Sequence, residues 1–351
     1  MAKTELELKG AQAYKPSLVD RFINWVKDLP IKAWVFYVLF AILLILIQVC
    51  ILWIENGLQA SELLPIIIFN SFAVPFTLAL IQFLDHQAVT AFNTMKPVLD
   101  ISDAEFALYK FRLENMPYPM SLIAGLALVA MVLIMEQIWV IPIRYAALEG
   151  LPLFSIFYHI IDKSSAFGFG VIFYHTLRQL RLVNRINSEF VHVNLYNLGP
   201  LQAFSRLTGS TTVGLVIGIY GWMLLNPDLL QNQAMIGFTV IISLFALSIF
   251  VWPLYGVHRR MVAAKERTLN ELDGNFENVF SEFNTAIQNK NYANIGVLNG
   301  IIASLDLQRK RIKDIPTWPW RPETARFALT AIAIPLVLSI LRFLVERAFG
   351  T

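Results

Sequence analysis

The feature that most constrains this chain is a series of apolar stretches, each about as long as a membrane is thick. A helix that crosses the hydrocarbon core needs about 20 mainly apolar residues, and seven such stretches recur along the 351 residues. Only 15% of the residues are charged, against about 25% in a typical soluble domain. The sequence therefore predicts an all-α polytopic membrane protein with seven transmembrane helices. The predicted spans are 33–54, 63–84, 120–143, 152–175, 208–225, 235–257 and 325–345.

Basic residues predict the orientation of these spans, because Lys and Arg concentrate in short cytoplasmic connections. With the N-terminus inside, the cytoplasmic segments hold 23 of the 28 Lys and Arg residues, and the opposite side holds only Arg144 and Arg347. We therefore predict an N-inside, C-outside, multi-pass protein of the cell membrane. A reporter placed after Thr351 should lie outside, and one inserted at Asn291 should lie in the cytoplasm.

The first two predicted parts are a cytoplasmic N-terminus, residues 1–32, and helices 1 to 6, residues 33–257. Apolar residues between Val19 and Leu29 repeat with helical spacing, which indicates an interfacial amphipathic helix with Asp20 on its polar face. Helix 4 has no Gly or Pro after its span, so we expect it to extend into the cytoplasm until Gly199-Pro200.

The last two predicted parts are a cytoplasmic helical hairpin, residues 258–316, and a segment with helix 7, residues 317–351. The hairpin carries two apolar stripes, so it must pack against the helix 4 extension or against the same hairpin of a neighbouring subunit. Trp318 and Trp320 stand just before helix 7, where tryptophan typically anchors a helix in the headgroup layer. A hinge between hairpin and helix 7 is the alternative.

Several classes of function lack support in the sequence. Cys50 is the one cysteine, which excludes a disulfide framework or a cysteine-based metal centre within one chain. A net charge of +3 gives no reason to expect a nucleic-acid partner. No hydrolase, phosphate-binding or dinucleotide motif occurs, and the five histidines lack metal-ligand spacing. We expect no enzyme and no cofactor, with an intramembrane hydrolase or transferase as the alternative.

Four ionisable residues fall inside predicted spans, in the outer half of the membrane: Glu136, His159, Asp162 and Lys163. Each centrally placed charge costs about 2.5 to 3.5 kcal/mol on insertion scales, so these residues need partners from other helices. One interpretation is a structural ion pair between Glu136 and Lys163. The other is the polar lining of a ligand-binding cavity, and a transporter's midplane site would suit the same residues.

Helix 7 also has a mixed character that a purely lipid-facing segment would not need. Its polar or helix-bending positions are predicted to line a pore, and they are Thr330, Pro335, Ser339, Arg342 and Glu346. Ser339, Arg342 and Glu346 are three and four residues apart and therefore share one face. The alternative is that Arg342 reaches the outer headgroups while Glu346 lies beside it in water.

Together, the seven spans, the cytoplasmic extensions and the break before the last span resemble the insect odorant and gustatory receptors. Ser339-Ile340-Leu341-Arg342-Phe343 is similar to part of the gustatory-type signature, with arginine in the place of glutamine and no preceding Thr-Tyr. The resemblance implies a ligand-gated cation channel of four subunits, with cytoplasmic helix ends as its anchor and helix 7 along the pore. It further implies a ligand pocket in the outer half, among helices 2, 3, 4 and 6.

The predicted function is accordingly a homo-oligomeric, tetrameric ion channel in the lipid bilayer, with a small-molecule ligand as a further partner. The alternative is a small-molecule transporter, or a membrane scaffold whose hairpin recruits another protein. Seven spans without an evident internal repeat weigh against a carrier, because many carriers are built from two related halves.

Overall fold

The computed structural model of the chain describes residues 14–56, 64–138, 150–190, 193–224, 234–290 and 293–349. All regular structure in these ranges is helical, which confirms the all-α prediction for them; 3-10 turns occupy Lys96–Val98 and Pro200–Gln202. In chain order the helices are α1 (Leu18–Lys27), α2 (Ala33–Asn56), α3 (Leu64–Met95), α4 (Asp103–Glu114), α5 (Tyr118–Ile138), α6 (Pro152–Glu189), α7 (Ala203–Leu224), α8 (Ala234–Gln288), α9 (Ile295–Asp314) and α10 (Pro322–Phe349).

The described residues of each predicted span lie on one long helix, namely α2, α3, α5, α6, α7, α8 or α10. Residue 63 of the second span, residues 139–143 of the third and residue 225 of the fifth lie outside the described residues. Among the described residues, three segments are long and apolar enough to cross a membrane, and a fourth apolar segment, Tyr118–Ile134, is shorter. The three segments are Ala33–Glu55, Ile67–Val98 and Thr239–Gln288. They indicate a membrane protein. The number of seven spans and their orientation stay predictions.

Side-chain contacts fix the relative directions of neighbouring helices. Tyr37 near the start of α2 donates a hydrogen bond of 2.6 Å to Gln82 Oε1 near the end of the apolar part of α3. Gln48, three turns further along α2, donates one of 2.6 Å to Ser71, earlier in α3. These two helices are therefore antiparallel. Helices α7 and α8 are also antiparallel. Tyr220 pairs with Ser243 at 3.1 Å, and Thr212, earlier in α7, donates to the Ala246 carbonyl, later in α8, at 3.5 Å.

Glycines bring two pairs of these helices close together. A Cβ added to Gly214 of α7 would lie 2.6 Å from Leu80 of α3, and one on Gly218 would lie 3.1 Å from Phe76. The GxxxG spacing of α7 thus works as a packing surface. A Cβ on Gly170 of α6 would lie 2.5 Å from the Ala124 carbonyl of α5, so these helices also pack at backbone distance.

The largest buried cluster lies where α1, α4 and the adjoining ends of the long helices meet; we call this the α1 end of the bundle. Its most buried members, each at most 1% exposed, include Leu84, Phe92, Leu113, Val183, Phe204, Leu207, Leu254 and Met261. By contrast, large apolar side chains along α2, such as Trp34 and Ile54, are 65% and 71% exposed. The α1 end therefore resembles the core of a soluble domain, whereas the apolar surface of α2 suits lipid.

At the other end of the bundle, Glu55 closes the N-terminus of α6. Its two carboxylate oxygens accept hydrogen bonds from the Leu153 and Phe154 backbone amides at 2.7 and 2.9 Å. A carboxylate is favourable there because the first amides of a helix have no intrahelical acceptors and carry partial positive charge. The residue before the helix, Leu151, provides no side-chain cap of its own.

The N-terminal helix forms where it was predicted, but one residue has the opposite environment. Ser17 and Asp20 form a reciprocal capping box, each side chain accepting from the other's backbone amide at 3.0 Å. Asp20 is only 3% exposed rather than on a solvated face, because its carboxylate also accepts from the Met116 amide at 2.7 Å. The helix is thereby attached to the rest of the protein.

Helix α6 continues past residue 175, where its predicted span ends, but it stops at Glu189, ten residues before Gly199. Phe190 ends it, because its ring packs on Tyr109 at 5.4 Å between centroids and its carbonyl accepts from the Asp100 amide at 3.0 Å. These contacts turn the chain away from the helix axis.

The predicted hairpin consists of α9 packed along the second half of α8, with a turn at Asn289 and Lys290. Asp273 and Arg309 form an ion pair of 2.8 Å across it. Of the apolar residues of α9, Leu298 and Ile312 are buried, whereas other large apolar side chains of the hairpin are exposed. They are Phe280, Ile287, Val297, Ile301 and Leu307.

Candidate functional site

The close antiparallel packing of α5 and α6 brings three of the predicted ligand-binding residues together. Lys163 donates hydrogen bonds to Glu136, across the two helices, and to Asp162 at 2.9 Å. All three side chains are about one fifth exposed. Lys163 thus pairs with two carboxylates, and the three side chains together carry a formal charge of −1. The predicted ion pair is present, and a ligand-binding role stays a prediction.

His159, the fourth predicted residue, lies one helical turn before Lys163 on α6. Its ring contacts the Tyr158 ring edge-to-face, at 5.5 Å between centroids, and it is half-buried. His159 therefore lies one helical turn from the charged cluster, on the face of α6 that also carries Lys163.

The predicted pore residues do not share one face of α10. Ala328 and Ile332 are buried against α7 and α8, and Thr330, which is exposed, lies about 200° around the helix from Ala328. Pro335 is half-buried. Positions 335, 339, 342 and 346 continue the Ala328 face to within about 40°. The side chains of Ser339, Arg342 and Glu346 lie outside the described residues.

A second polar cluster lies at the α1 end, and sequence reasoning missed it. The His175 Nε2 and Asp85 Oδ1 atoms are 2.6 Å apart, and the two side chains are 0% and 3% exposed. Gln179, one turn after His175, donates to the Leu113 carbonyl at 3.0 Å. No hydrogen-bond partner reaches the buried His175 Nδ1 atom from the described part of the chain. This cluster connects α3, α6 and the end of α4.

Arg178 extends the connections to the N-terminal segment. It donates to the Asn115 carbonyl at 2.8 Å and to the Tyr14 hydroxyl, and that hydroxyl donates to the same carbonyl at 2.8 Å. Burial raises the pKa of Tyr14 to about 12, although the nearby Arg178 charge acts in the opposite direction. Tyr14 therefore remains a neutral donor at physiological pH.

A buried carboxylate and imidazole at hydrogen-bond distance can hold or transfer a proton. A neutral imidazole that donates from Nε2 satisfies the Asp85 carboxylate, and a protonated one forms a buried ion pair with it. Among the described residues, no group of three or more His, Cys, Asp or Glu is placed to hold a metal ion. The pair therefore suits proton chemistry or structural pairing better than metal binding.

The positions of Asp85 and His175 relative to the predicted spans are the sequence signal for this pair. Asp85 directly follows the second predicted span and His175 ends the fourth. With the N-terminus inside, both spans run from outside to inside, so their ends lie at the same membrane face. The two residues are 90 positions apart in the sequence, so their proximity is evident only in the folded structure.

Comparisons of the chain with protein-family models, curated proteins and solved structures find no match.

Proposed function

We propose that the chain is one subunit of a homo-oligomeric membrane ion channel in which α10 faces the symmetry axis. The open face of α10 is the observation that carries this proposal. The helix packs on its own chain through Ala328 and Ile332 only along one side. The other side carries Phe327, Val337 and Leu341, which are 50% to 63% exposed. The polar Thr330 lies on this side too.

The cytoplasmic hairpin supports assembly independently. In the proposed topology it lies outside the lipid, yet it exposes Phe280, Val297 and Leu307 by 47%, 65% and 52%. Covering apolar surface contributes about 25 cal/mol per Å², so burying these side chains against a second copy would stabilise an assembly.

The proposed arrangement has seven spans, an inside N-terminus and four subunits, the last number following the resemblance described above. The negative cluster of Glu136, Asp162 and Lys163 is the proposed contact for a gating ligand. Among the described side chains, Thr330 and, one turn earlier, Arg326 supply polar groups on the open face of α10.

The test combines particle symmetry with electrical recording. The full chain, purified in mild detergent, should form particles of four-fold symmetry by electron microscopy and should carry discrete currents in planar lipid bilayers. Four-fold particles without current would contradict conduction and leave assembly standing. Monomers without current would contradict both.

A carrier is the second candidate, and the Asp85–His175 pair favours it. Ionisable residues inside a helical bundle are expensive and often form proton relays in carriers. A carrier would work as a monomer or dimer, and acidification should drive solute uptake into vesicles without discrete currents. A scaffold without a pore would show neither uptake nor current.

A further inference from the structure

A polar cleft of about 680 Å³ lies beyond the α1 end, between the end of α6 and the start of the α8 extension. On α8 it is lined by positions 260, 263, 264 and 267, which are three and four residues apart and form one helix face. Phe190 and Val193 form the facing wall. Its volume falls in the range of about 300 to 1,000 Å³ that small-molecule sites occupy.

The charges around the cleft favour an anionic ligand. Arg260 and Arg267 both line it, and Arg260 donates to the Ser188 carbonyl, which holds its guanidinium at the base of the cleft. Glu189 also lines the cleft, but Arg185 already pairs with its carboxylate at 3.0 Å. The guanidinium of Arg267 is exposed, and within the described ranges no carboxylate lies within 4.0 Å of it, including that of Glu271 one turn further.

The acidic residue Asp100 indicates that the ligand also carries hydrogen-bond donors. Asp100 is exposed at the rim, held in place by its backbone hydrogen bond of 3.0 Å to Phe190. A carboxylate beside two guanidinium groups accepts hydrogen bonds from hydroxyl groups, whereas the guanidinium groups match a phosphate. We infer that the cleft binds a soluble phosphate ester that carries hydroxyl groups, of the size of a nucleoside monophosphate.

The position along α8 argues against a lipid headgroup as the source of the phosphate. A helix rises 1.5 Å per residue, so Arg260 lies about 5 Å and Arg267 about 15 Å past position 257, where the predicted span ends. A ligand that reaches Arg267 therefore extends well beyond the depth of Arg260. The headgroup layer on one side is only about 5 to 8 Å thick. The inference uses the proposed membrane position of α8 but requires neither conduction nor a particular subunit number.

The test is equilibrium binding of radiolabelled adenosine 5′-monophosphate to the full chain in nanodiscs of phosphatidylcholine. We expect saturable binding that millimolar inorganic phosphate displaces. Arg267→Gln should weaken it about tenfold, as expected for losing one charge-assisted hydrogen-bonding group. Ala264→Trp, which fills the cleft, should abolish it, and Arg311→Gln on exposed α9 should change it less than about twofold.

Three results would overturn the inference. The first is no saturable binding of either phosphate compound. The second is equal weakening by Arg267→Gln and Arg311→Gln, which would indicate non-specific attraction by positive charge. The third is binding only when phosphatidylinositol phosphate replaces part of the phosphatidylcholine, which would assign the cleft to lipid. Arg267 is exposed, so its replacement should leave folding intact, and the measured melting temperature checks this. Channel failure would not affect any of these readouts.

Discussion

Individual buried polar residues join separate parts of the chain at the α1 end. Asp20 links α1 to Met116, Gln179 links α6 to Leu113, and the Asp85–His175 pair links α3 to α6. Each link buries polar groups that would otherwise bond to water. Its net contribution to the free energy of folding is therefore small, but a group left without its partner is costly. Loss of one partner is therefore more damaging than loss of both.

This asymmetry gives a double-mutant prediction for Asp85 and His175. Asp85→Ala and His175→Ala should each lower the free energy of unfolding by about 1 to 3 kcal/mol, because the remaining side chain is left buried without its partner. The double variant should be clearly less destabilised than the sum of the singles. Denaturant titration in detergent measures this, and Asp100→Ala at an exposed position is the control. Additive effects would show that the pair is not energetically coupled.

The charged cluster of α5 and α6 gives a second prediction at this scale. Glu136→Ala or Lys163→Ala should impair folding, because each leaves an uncompensated charge. The exchange of Glu136→Lys with Lys163→Glu should recover most of the loss. An exchanged protein that folds but no longer responds to ligand would support the binding role, and full retention of function would refute it.

Tyr14 adds a pH dependence with a defined sign. Its pKa is raised from 10.0 to about 12 in the folded protein, so folding favours the protonated form. The resulting stabilisation is complete below pH 10 and is lost as the pH rises from 10 toward 12. Tyr14→Phe should flatten this part of the stability profile, measured by denaturation midpoints at pH 9 to 11. Parallel profiles for both proteins would contradict the assignment.

At the scale of elements, a stack of aromatic rings fixes the segment between hairpin and α10 to α8. Phe250, Trp320, Trp318 and His258 follow one another with centroid distances of 4.8, 4.5 and 3.7 Å and nearly parallel planes. The backbone between α9 and α10 takes part too, because the Thr317 carbonyl lies 3.1 Å from His258 Nδ1. The stack makes Trp318 and Trp320 parts of a joint between elements, in addition to any role at the membrane interface.

Removal of one ring should loosen this joint. Trp318→Ala interrupts two stacked pairs, each contributing about 0.5 to 1.5 kcal/mol beyond buried area, and should expose the linker between α9 and α10 to protease. Trp34→Ala on α2 is the matched control, because Trp34 is 65% exposed and belongs to no such stack in the described residues. Equal protease resistance of both variants would show that the stack does not hold the linker.

The sequence was a good guide to elements because their signals are local. Apolar length predicted the long helices, and the stripes of the hairpin predicted α8 and α9. Pairings across distant segments were not predicted, because Asp85 and His175 gain meaning only once α3 and α6 lie side by side. The end of α6 at Glu189 likewise depends on Tyr109 and Asp100, which no local rule connects to Phe190.

At the scale of the whole molecule, the protein has one well-packed end and one long, incompletely covered side. The α1 end is joined by a large buried cluster and several polar links. α10 and the hairpin, in contrast, contact their own chain along one side only. This difference is the basis for proposing that identical copies meet along α10 while the α1 end keeps each subunit intact.

Cross-linking between copies tests this central claim most directly. The background is Cys50→Ser, since Cys50 is exposed on α2, which packs on α3 and α6, whereas α10 packs on α7 and α8. Thr330→Cys in native membranes should give covalent dimers with a bifunctional maleimide, because one cysteine per chain can join only two chains. The spacer of the reagent exceeds the about 7 Å limit of a disulfide. The unaltered chain, with Cys50 alone, should stay monomeric. A Thr330→Cys chain that stays monomeric, or equal cross-linking through Cys50, would contradict the account.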